Sequence, residues 1–226
     1  MARRPVFVPN LEDSPLVREV SIEFKWFAGM SIQQKQKSIA SLHESAKRKD
    51  IQPVLEISTK STVEIGRALS AFNLSIEIGG GQRVSVEAAY QGGKVFERGG
   101  PHRDLYGLSG KQIKADERLK NSGNLVAFEF NGVKWSLEPK TVFYDWLYVS
   151  ALSQNPDLGN QILDYRGFSD IEFNPEKSIN CQAKAAALFV ALHRRNLLYS
   201  AISSQELFIQ TVSGNKSTNF FQMNLL

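Results

Sequence analysis

Two strongly apolar helical segments constrain the fold of this chain more than any other feature. "TVFYDWLYVSAL", which starts at Thr141, is long, apolar and aromatic. "SINCQAKAAALFVALHRR" contains the longest uninterrupted apolar run, the eight residues from Ala185 to Leu192. A helix that is apolar on most sides has to be buried, and eight residues are far too few to cross a bilayer. The two segments therefore predict a helical core in a compact domain.

Short strand patterns surround these helices. "PVFVP", "LVREVSIEF", "VLEIS" and "SIEI" are rich in β-forming residues and predict strands. Asn131-Gly132, between "LVAFEF" and "VKWSLEP", predicts a hairpin, since a tight primed turn favours Asn-Gly. Ser31, with Gln34 in the capping-box position, predicts the start of a helix that ends near Asp50. "KQIKADERLKN" predicts one short charged helix.

The pattern as a whole predicts an α+β fold that is mostly helical with short β-strands. We expect residues 1–50 to form an N-terminal strand–helix extension that packs on a core domain of residues 51–226. The length of 226 residues fits one large domain or one domain with an extension.

Composition limits the chemistry that the chain can perform. The single cysteine, Cys181, excludes an intramolecular disulfide and a cysteine-rich zinc site, and the three histidines lack metal-ligand spacing. We therefore expect neither a metal nor a cofactor. The Gly79–Gly81 run lacks the Gly-Lys-Ser/Thr ending of a phosphate loop and predicts a turn. The start of the chain lacks a signal-peptide pattern, so we expect a cytoplasmic location. A net charge of +4 is compatible with a phosphate-bearing partner.

The segment "SVEAAYQGGKVFERGG" raises the main functional question. If it is a helix that stops at its final Gly99-Gly100 pair, one stripe carries a carboxylate, a phenol, an amide and an ammonium group at i, i+3, i+4 and i+7. These groups belong to Glu87, Tyr90, Gln91 and Lys94. Such a stripe is either a solvated face or the lining of a site.

The region from Leu69 to Phe96, "LSAFNLSIEIGGGQRVSVEAAYQGGKVF", resembles the signature of the NADAR superfamily, which includes the YbiA-like N-glycosidases. The family pattern is Ser-Asn-Phe, a short hairpin, and then Glu-x-x-Tyr/Phe-Gln-x-x-Lys-x-Phe. Ser70 and Phe72 match the first block, with Ala71 in place of Asn, and the polar stripe matches the second. Upstream, "STKS" is similar to the family's Ser-Lys-Ser segment.

Downstream, "SDIEFNPEKSINCQAKAA" is similar to the closing block of the family, with Asp170, Phe173 and Asn180 as counterparts. Phe173 stands where the family has Trp, and Ala183 replaces the last Gly of the block. The resemblance extends from about Leu55 to Arg195, and residues 1–50 lie outside the ordinary family core.

The resemblance implies hydrolysis of an N-glycosidic bond, which requires a carboxylate near the anomeric carbon and a proton donor for the departing base. The implied catalytic residues are Glu87, Asp170 and Lys60. Lys60 is the first candidate to form a Schiff base with an opened sugar, and Lys94 is the second. The implied substrate-binding residues are Ser70, Phe72, Asn73, Tyr90, Gln91, Lys94, Trp135, Tyr144, Trp146 and Asn180. Phe72, Tyr90, Tyr144 and Trp146 offer rings on which a base can stack.

Two substrate classes follow from the resemblance. One group of members, often encoded with DarT-like toxins, removes ADP-ribose from guanine bases of DNA or RNA, and the other hydrolyses riboflavin-pathway ribosylaminopyrimidine phosphates. The basic N-terminal segment and the aromatic stretch from Phe143 to Tyr148 favour the first class, which predicts an antitoxin to a DarT-like ADP-ribosyltransferase. The alternative from another class is a non-catalytic nucleotide or nucleic-acid binding module.

Overall fold

The computed structural model describes residues 1–12 and 14–214. The fold is α+β, with nine strands in three sheets and ten α-helices within the described residues. The strands are β1 Ala2–Pro9, β2 Val17–Phe24, β3 Val54–Glu56, β4 Ser75–Glu77, β5 Arg83–Ser85, β6 Lys94–Phe96, β7 Leu125–Phe130, β8 Val133–Trp135 and β9 Gly167–Ser169. The helices are α1 Ile32–Lys47, α2 Glu64–Ala68, α3 Val86–Gly92, α4 Gly110–Ala115, α5 Arg118–Asn121, α6 Val142–Ser153, α7 Pro156–Gln161, α8 Gln182–Arg194, α9 Leu198–Ile202 and α10 Gln205–Val212.

The largest sheet joins the N-terminal segment to the rest of the chain. Its strand order is β2-β1-β9-β3, in which β1 runs antiparallel to β9 and β9 runs parallel to β3. Phe7 of β1 lies opposite Phe168 of β9, and α1 packs on β2. Residues 1–50 thus contribute half of a sheet whose other strands come from the predicted core domain. The division into an extension and a core stays a prediction, and residues 215–226 of the core lie outside the described part.

The apolar helices form the core as predicted. Helices α6 and α8 pack against each other, and the alanines of α8 are buried along the contact. Alanine side chains let two helix axes approach closely because they project little beyond the backbone. Tyr148 of α6 is fully buried, and its hydroxyl donates a 2.6 Å hydrogen bond to the carbonyl of Leu69. This bond offsets the free-energy cost of burying the phenol hydroxyl, and it holds the turn that follows α2 in place.

The local start and turn signals are also confirmed. The Ser31 side chain accepts from the backbone N–H of Gln34 at 3.3 Å and caps α1, which is typically worth about 1 kcal/mol. The reciprocal bond is not formed, since the side-chain oxygen of Gln34 is buried without a partner. Asn131 and Gly132 take φ values of 49° and 81° between β7 and β8, as a type I′ hairpin turn requires.

The helix predicted to run to Gly100 was wrong beyond Gly92. Helix α3 is capped by Gly93, and Lys94 begins strand β6 instead. The carbonyl of Gly93 accepts from the N–H of Glu129 in β7 at 2.7 Å, so pairing with the neighbouring strand takes over the backbone. A Cβ at Gly93 would lie 2.9 Å from two backbone oxygens, which explains the glycine. "KQIKADERLKN" likewise forms two short helices, α4 and α5, separated at an extended Asp116.

Over the described residues, no helix is both long and apolar enough to span a membrane.

Candidate active site

The first turn of α3 lies directly under the Ser70–Asn73 turn. The backbone N–H of Glu87 donates to the carbonyl of Ala71 at 2.8 Å, and that of Val86 donates to the carbonyl of Leu74 at 2.9 Å. The Ser85 side chain caps the helix by accepting from Ala88. The two blocks of the sequence signature therefore meet at the start of α3, although a hairpin separates them along the chain.

The four groups of the polar stripe stay together despite the shorter helix. Gln91 donates from its side-chain nitrogen to Glu87 Oε1 at 3.1 Å. Burial lowers the pKa of Lys94, whereas the nearby negative charge of Glu87 acts in the opposite direction. The ammonium of Lys94 lies 5.1 Å from the centre of the Tyr90 ring, within cation–π range. Strand β6 thus places Lys94 near the carboxylate of Glu87, as the helical spacing was expected to do.

Tyr90 links the stripe to the aromatic part of the core. Its ring centre lies 5.2 Å from that of Phe128 and 5.3 Å from that of Tyr144. Its hydroxyl accepts a 2.7 Å hydrogen bond from the side-chain amide of Asn180. Burial raises the pKa of Tyr90 to about 12, with a smaller contribution from Glu87, so the phenol is neutral at physiological pH.

A cavity of about 250 Å³ opens beside this ring. Three predicted substrate-binding residues contribute to its wall, namely Tyr90, Tyr144 and Asn180. The remaining lining residues are Leu125, Phe128, Ser136, Leu137, Glu138, Pro139, Lys140, Thr141, Val142, Phe143 and Ile179. Aromatic and aliphatic walls with a few polar groups are typical of pockets that bind a flat apolar ring.

Tyr144 connects the two predicted catalytic carboxylates. It is buried, and burial raises its pKa well above the ordinary value of tyrosine. The charges of Glu87 and Asp170 both contribute to that increase, so both carboxylates are electrostatic neighbours of this phenol. The structure therefore brings Glu87 and Asp170 to one region, although 83 positions separate them in the sequence.

Asp170 follows β9, and three hydrogen bonds hold its carboxyl group. Its Oδ1 accepts from the backbone N–H groups of Glu172 and Phe173, and its Oδ2 accepts from Gln182. Burial, together with the neighbouring carboxylate of Glu56, raises its pKa to about 8. A carboxyl group with this pKa carries a proton at neutral pH and is able to act as a general acid.

Glu56 belongs to a buried polar network that the sequence interpretation missed. Its carboxylate accepts from the hydroxyls of Ser58 and Ser169 and from the N–H of Ile171. Burial raises the pKa of Glu56, while these hydrogen bonds lower it. His43 of α1 lies 2.8 Å from the Ser169 hydroxyl, and burial lowers the pKa of this imidazole to about 4. A charged residue inside the strand pattern "VLEIS" was the one sequence signal of this network.

Lys60 lies in the turn after β3. Because β3 and β9 are parallel, their carboxyl ends share one sheet edge, so Lys60 and Asp170 leave the sheet on the same side. The Lys60 ammonium donates to Thr59 at 3.1 Å, and its carbonyl accepts from Gln36 of α1 at 3.4 Å. The negative charge of Glu87 acts on the pKa of Lys94, which places Lys94 near the carboxylate of the stripe.

The Ser70–Asn73 residues have different environments. Ser70 is fully buried, and its hydroxyl has no hydrogen-bond partner. Phe72 is 41% exposed, with the ammonium of Lys114 5.1 Å from its ring centre. Asn73 uses its side-chain amide to bond the carbonyl of Arg67 at 2.8 Å. Of the three, Phe72 and Asn73 are exposed at the surface.

The two predicted tryptophans pack in the interior. Trp135 is 1% exposed, and its ring centre lies 4.9 Å from that of Trp146. Both indole N–H groups are buried without a partner. Their predicted substrate contacts stay a prediction, although neither side chain lines the cavity beside Tyr90, as is also true of Glu87, Lys94 and Asp170. The β7–β8 hairpin folds Trp135 inward against α6.

Among the described residues, no group of three or more histidine, cysteine, aspartate or glutamate side chains is arranged to hold a metal ion.

The chain has an α+β fold in which the polar face of α3 lies beside an aromatic cavity. The family model of the DarT1-associated NADAR antitoxin matches residues 2–221, and the chain belongs to that family. This match includes β1, β2 and α1. The chain is thus a member of an antitoxin family from toxin–antitoxin systems. No curated protein matches the chain significantly.

Proposed function

We propose that this chain is an ADP-ribosyl glycohydrolase that removes ADP-ribose from guanine bases of DNA or RNA and so reverses a DarT-like toxin. The observation that carries the proposal is the grouping of Glu87 and Lys94 around Tyr90, one wall of an aromatic cavity. A pure binding module would need the rings but has no use for a carboxylate and an ammonium group of altered pKa. Membership of a DarT1-associated family supports the nucleic-acid substrate.

The proposed reaction breaks the bond between ribose C1 and a guanine nitrogen. The bonding electrons leave with the base, and Asp170, which is protonated at neutral pH, supplies the proton that the departing nitrogen takes up. The carboxylate of Glu87 stabilises the positive charge that develops on the sugar. It then accepts a proton from the water that adds to C1. The products are free ADP-ribose and unmodified guanine in the strand.

A covalent route through a lysine is the second form of the proposal. A neutral amine adds to C1 of the ring-opened N-glycoside, and the guanine nitrogen leaves with the bonding electrons and takes up a proton, which gives a Schiff base between C1 and the lysine. Water then hydrolyses the Schiff base to ADP-ribose and the free amine. The sequence interpretation ranked Lys60 first. Lys94 meets the chemical requirement better, because burial lowers its pKa and increases its neutral fraction.

The cavity beside Tyr90 is proposed to hold the base or another flat ring of the substrate. The rings of Tyr90 and Tyr144 supply stacking surface, and the amide of Asn180 supplies hydrogen-bonding capacity. Base–aromatic stacking contributes about 1–3 kcal/mol per base. Lys140 at the rim offers a cation to a phosphate.

To test the proposal, the purified protein is incubated with an oligonucleotide that carries ADP-ribosylated guanine. In a separate reaction it is incubated with a riboflavin-pathway ribosylaminopyrimidine phosphate. Mass spectrometry should show release of ADP-ribose and recovery of the unmodified oligonucleotide, also after exhaustive EDTA treatment. Cleavage of the riboflavin intermediate alone would establish the metabolic alternative. Binding of the oligonucleotide without cleavage of either compound would establish the binding module.

A further inference from the structure

Gln182, the first residue of α8, joins three segments that are distant in the sequence. Its Oε1 accepts from the backbone N–H of Ala71 at 2.8 Å. Its Nε2 donates to the carbonyl of Ile57 at 2.7 Å and to Asp170 Oδ2 at 3.0 Å. The first two segments lead to Phe72 and Lys60, and the third carries Asp170. One side chain therefore holds together the three stretches of chain that flank the candidate site.

The orientation of this amide is fixed by its backbone partners. A backbone N–H is only a donor and a backbone carbonyl is only an acceptor, so the oxygen must face Ala71 and the nitrogen must face Ile57. Both N–H groups of Gln182 are then used, one on Ile57 and one on Asp170. Gln182 is not among the residues that the family signature singles out; in this part of the chain the signature points to Asn180.

The hydrogen bonds on Asp170 determine where it can carry a proton. Each carboxyl oxygen has two lone pairs. Both lone pairs of Oδ1 are occupied by the N–H groups of Glu172 and Phe173, at 2.9 and 3.2 Å. Oδ2 accepts one bond, from Gln182, and keeps one lone pair free. A proton on Asp170 therefore resides on Oδ2, at the position that Gln182 leaves open.

We propose that Gln182 is a positioning residue that orients the acidic proton of Asp170 Oδ2 while holding the Ile57 and Ala71 segments in register. The inference rests on the proposed function, in which Asp170 is the acid. The titratable groups that face Asp170 from the neighbouring elements are Glu56, Tyr144, Tyr148 and Cys181. None of them is a cation, so the carboxyl is retained in its neutral form, and Gln182 is its one side-chain donor among the described residues.

Two substitutions separate positioning from simple packing. Gln182→Met preserves the length of the side chain but removes all three hydrogen bonds, and Gln182→Glu preserves its shape but replaces the donor with an acid. Gln205→Met is the matched control, since Gln205 is also the first residue of its helix and has no side-chain hydrogen bond. Two quantities are measured for each variant. The first is the activity on the ADP-ribosylated oligonucleotide as a function of pH. The second is the titration of Asp170, which is followed by infrared difference spectra against Asp170→Asn.

In Gln182→Met we expect kcat to fall about tenfold or more, the scale of one lost hydrogen bond to a reacting group, with a smaller change in KM. The Asp170 titration should move to higher pH, because a donor to the carboxylate form is lost. Gln182→Glu should regain activity as the pH falls, since a protonated Glu again offers a donor. Gln205→Met should behave as wild type.

An unchanged kcat and an unchanged Asp170 titration in Gln182→Met would overturn the inference. If Gln182→Met does not fold, the pH-dependent recovery of Gln182→Glu decides alone, and an activity loss that is independent of pH counts against positioning. If the wild-type protein cleaves no substrate, the proposed function fails, yet the infrared titration still shows whether Gln182 controls Asp170.

Discussion

The side-chain amide of Asn180 donates a 2.7 Å hydrogen bond to the phenolic oxygen of Tyr90. This bond joins the segment before α8 to the polar face of α3, across 90 positions of sequence. Because the Tyr90 hydroxyl is occupied, the ring is fixed edge-on to Tyr144, and both rings line the same cavity. The geometry supports a site built on rigid elements, and it leads to five predictions.

Replacing Glu87 by Gln should abolish most of the turnover without unfolding the protein. The variant keeps the size of the side chain and its contact with Gln91 but loses the charge that the proposed transition state requires. We expect kcat to fall by about 10² or more, the usual scale for a lost acid–base group. Glu77→Gln, at an exposed carboxylate on β4, is the control. Full activity of a folded Glu87→Gln variant would make the polar stripe a solvated face.

Borohydride added during turnover should attach the sugar to a lysine if the reaction passes through a Schiff base. We expect the reduced adduct on Lys94, because burial lowers its pKa and Glu87 is its neighbour. Peptide mass mapping locates the adduct, and Lys94→Ala should abolish trapping. An adduct on Lys60 would support the ranking from sequence instead. An active enzyme that is never trapped would exclude the covalent role for both lysines.

Asp170 should make the stability of the protein depend on pH. Burial raises its pKa to about 8, whereas the pKa in an unfolded chain is about 4. Its contribution to stability is complete below about pH 4 and is lost as the pH rises through about 8. Relative to wild type, Asp170→Asn should therefore be least stable at low pH. As the pH rises, the difference in unfolding free energy between wild type and Asp170→Asn should shrink. The decrease should be at most about 1.4 kcal/mol per unit of difference between the folded and unfolded pKa values of Asp170.

Urea denaturation at several pH values measures this difference. Asp157→Asn, at an exposed position in the first turn of α7, provides the control. Parallel stability curves for wild type and Asp170→Asn would show that Asp170 titrates alike in the folded and unfolded states.

The contribution of His43 to stability should change with pH in the opposite direction to that of Asp170. Burial lowers its pKa to about 4, below the value of about 6.5 in an unfolded chain. Its contribution is present above about pH 6.5 and is lost as the pH falls through about 4. His43→Gln retains a donor for the Ser169 hydroxyl and cannot titrate, so its stability should fall less steeply in acid than that of wild type. Thermal melts between pH 4 and 7 test this, with His193→Gln as the control; identical slopes would contradict it.

Two exposed lysines of α1 should contribute to nucleic-acid binding. Among the described residues, Lys35 is engaged with Glu172 at 3.1 Å and Arg48 with Glu44 at 3.7 Å, whereas no salt bridge engages Lys37 or Lys47. Replacing these two by Gln should weaken oligonucleotide binding and reduce the salt slope by about 0.7 to 0.9 per lost contact.

Fluorescence anisotropy titrations at several salt concentrations measure this slope, with the Lys111→Gln, Lys120→Gln double variant as the control. Equal slopes for the α1 variant and wild type would make this surface a solvated face without a role in binding.

The sequence by itself determined the elements whose causes are local. Asn131-Gly132 supplies the positive φ values that its hairpin turn requires, and Ser31 satisfies an N–H at the start of α1 within three residues. The apolar character of α6 and α8 compels burial wherever they lie. The signature around Glu87 also identified the family, because its residues are close together in the chain and keep their spacing.

Tertiary structure decided what depends on partners far away in the sequence. Pairing with β7 ended α3 at Gly92 and moved Lys94 onto a strand, where it still reaches Glu87. Packing between the hairpin and α6 placed Trp135 in the core. The bonds of Gln182 cross up to 125 positions. Hydrogen bonds and desolvation act through space, so residue spacing along the chain cannot specify which polar groups will meet.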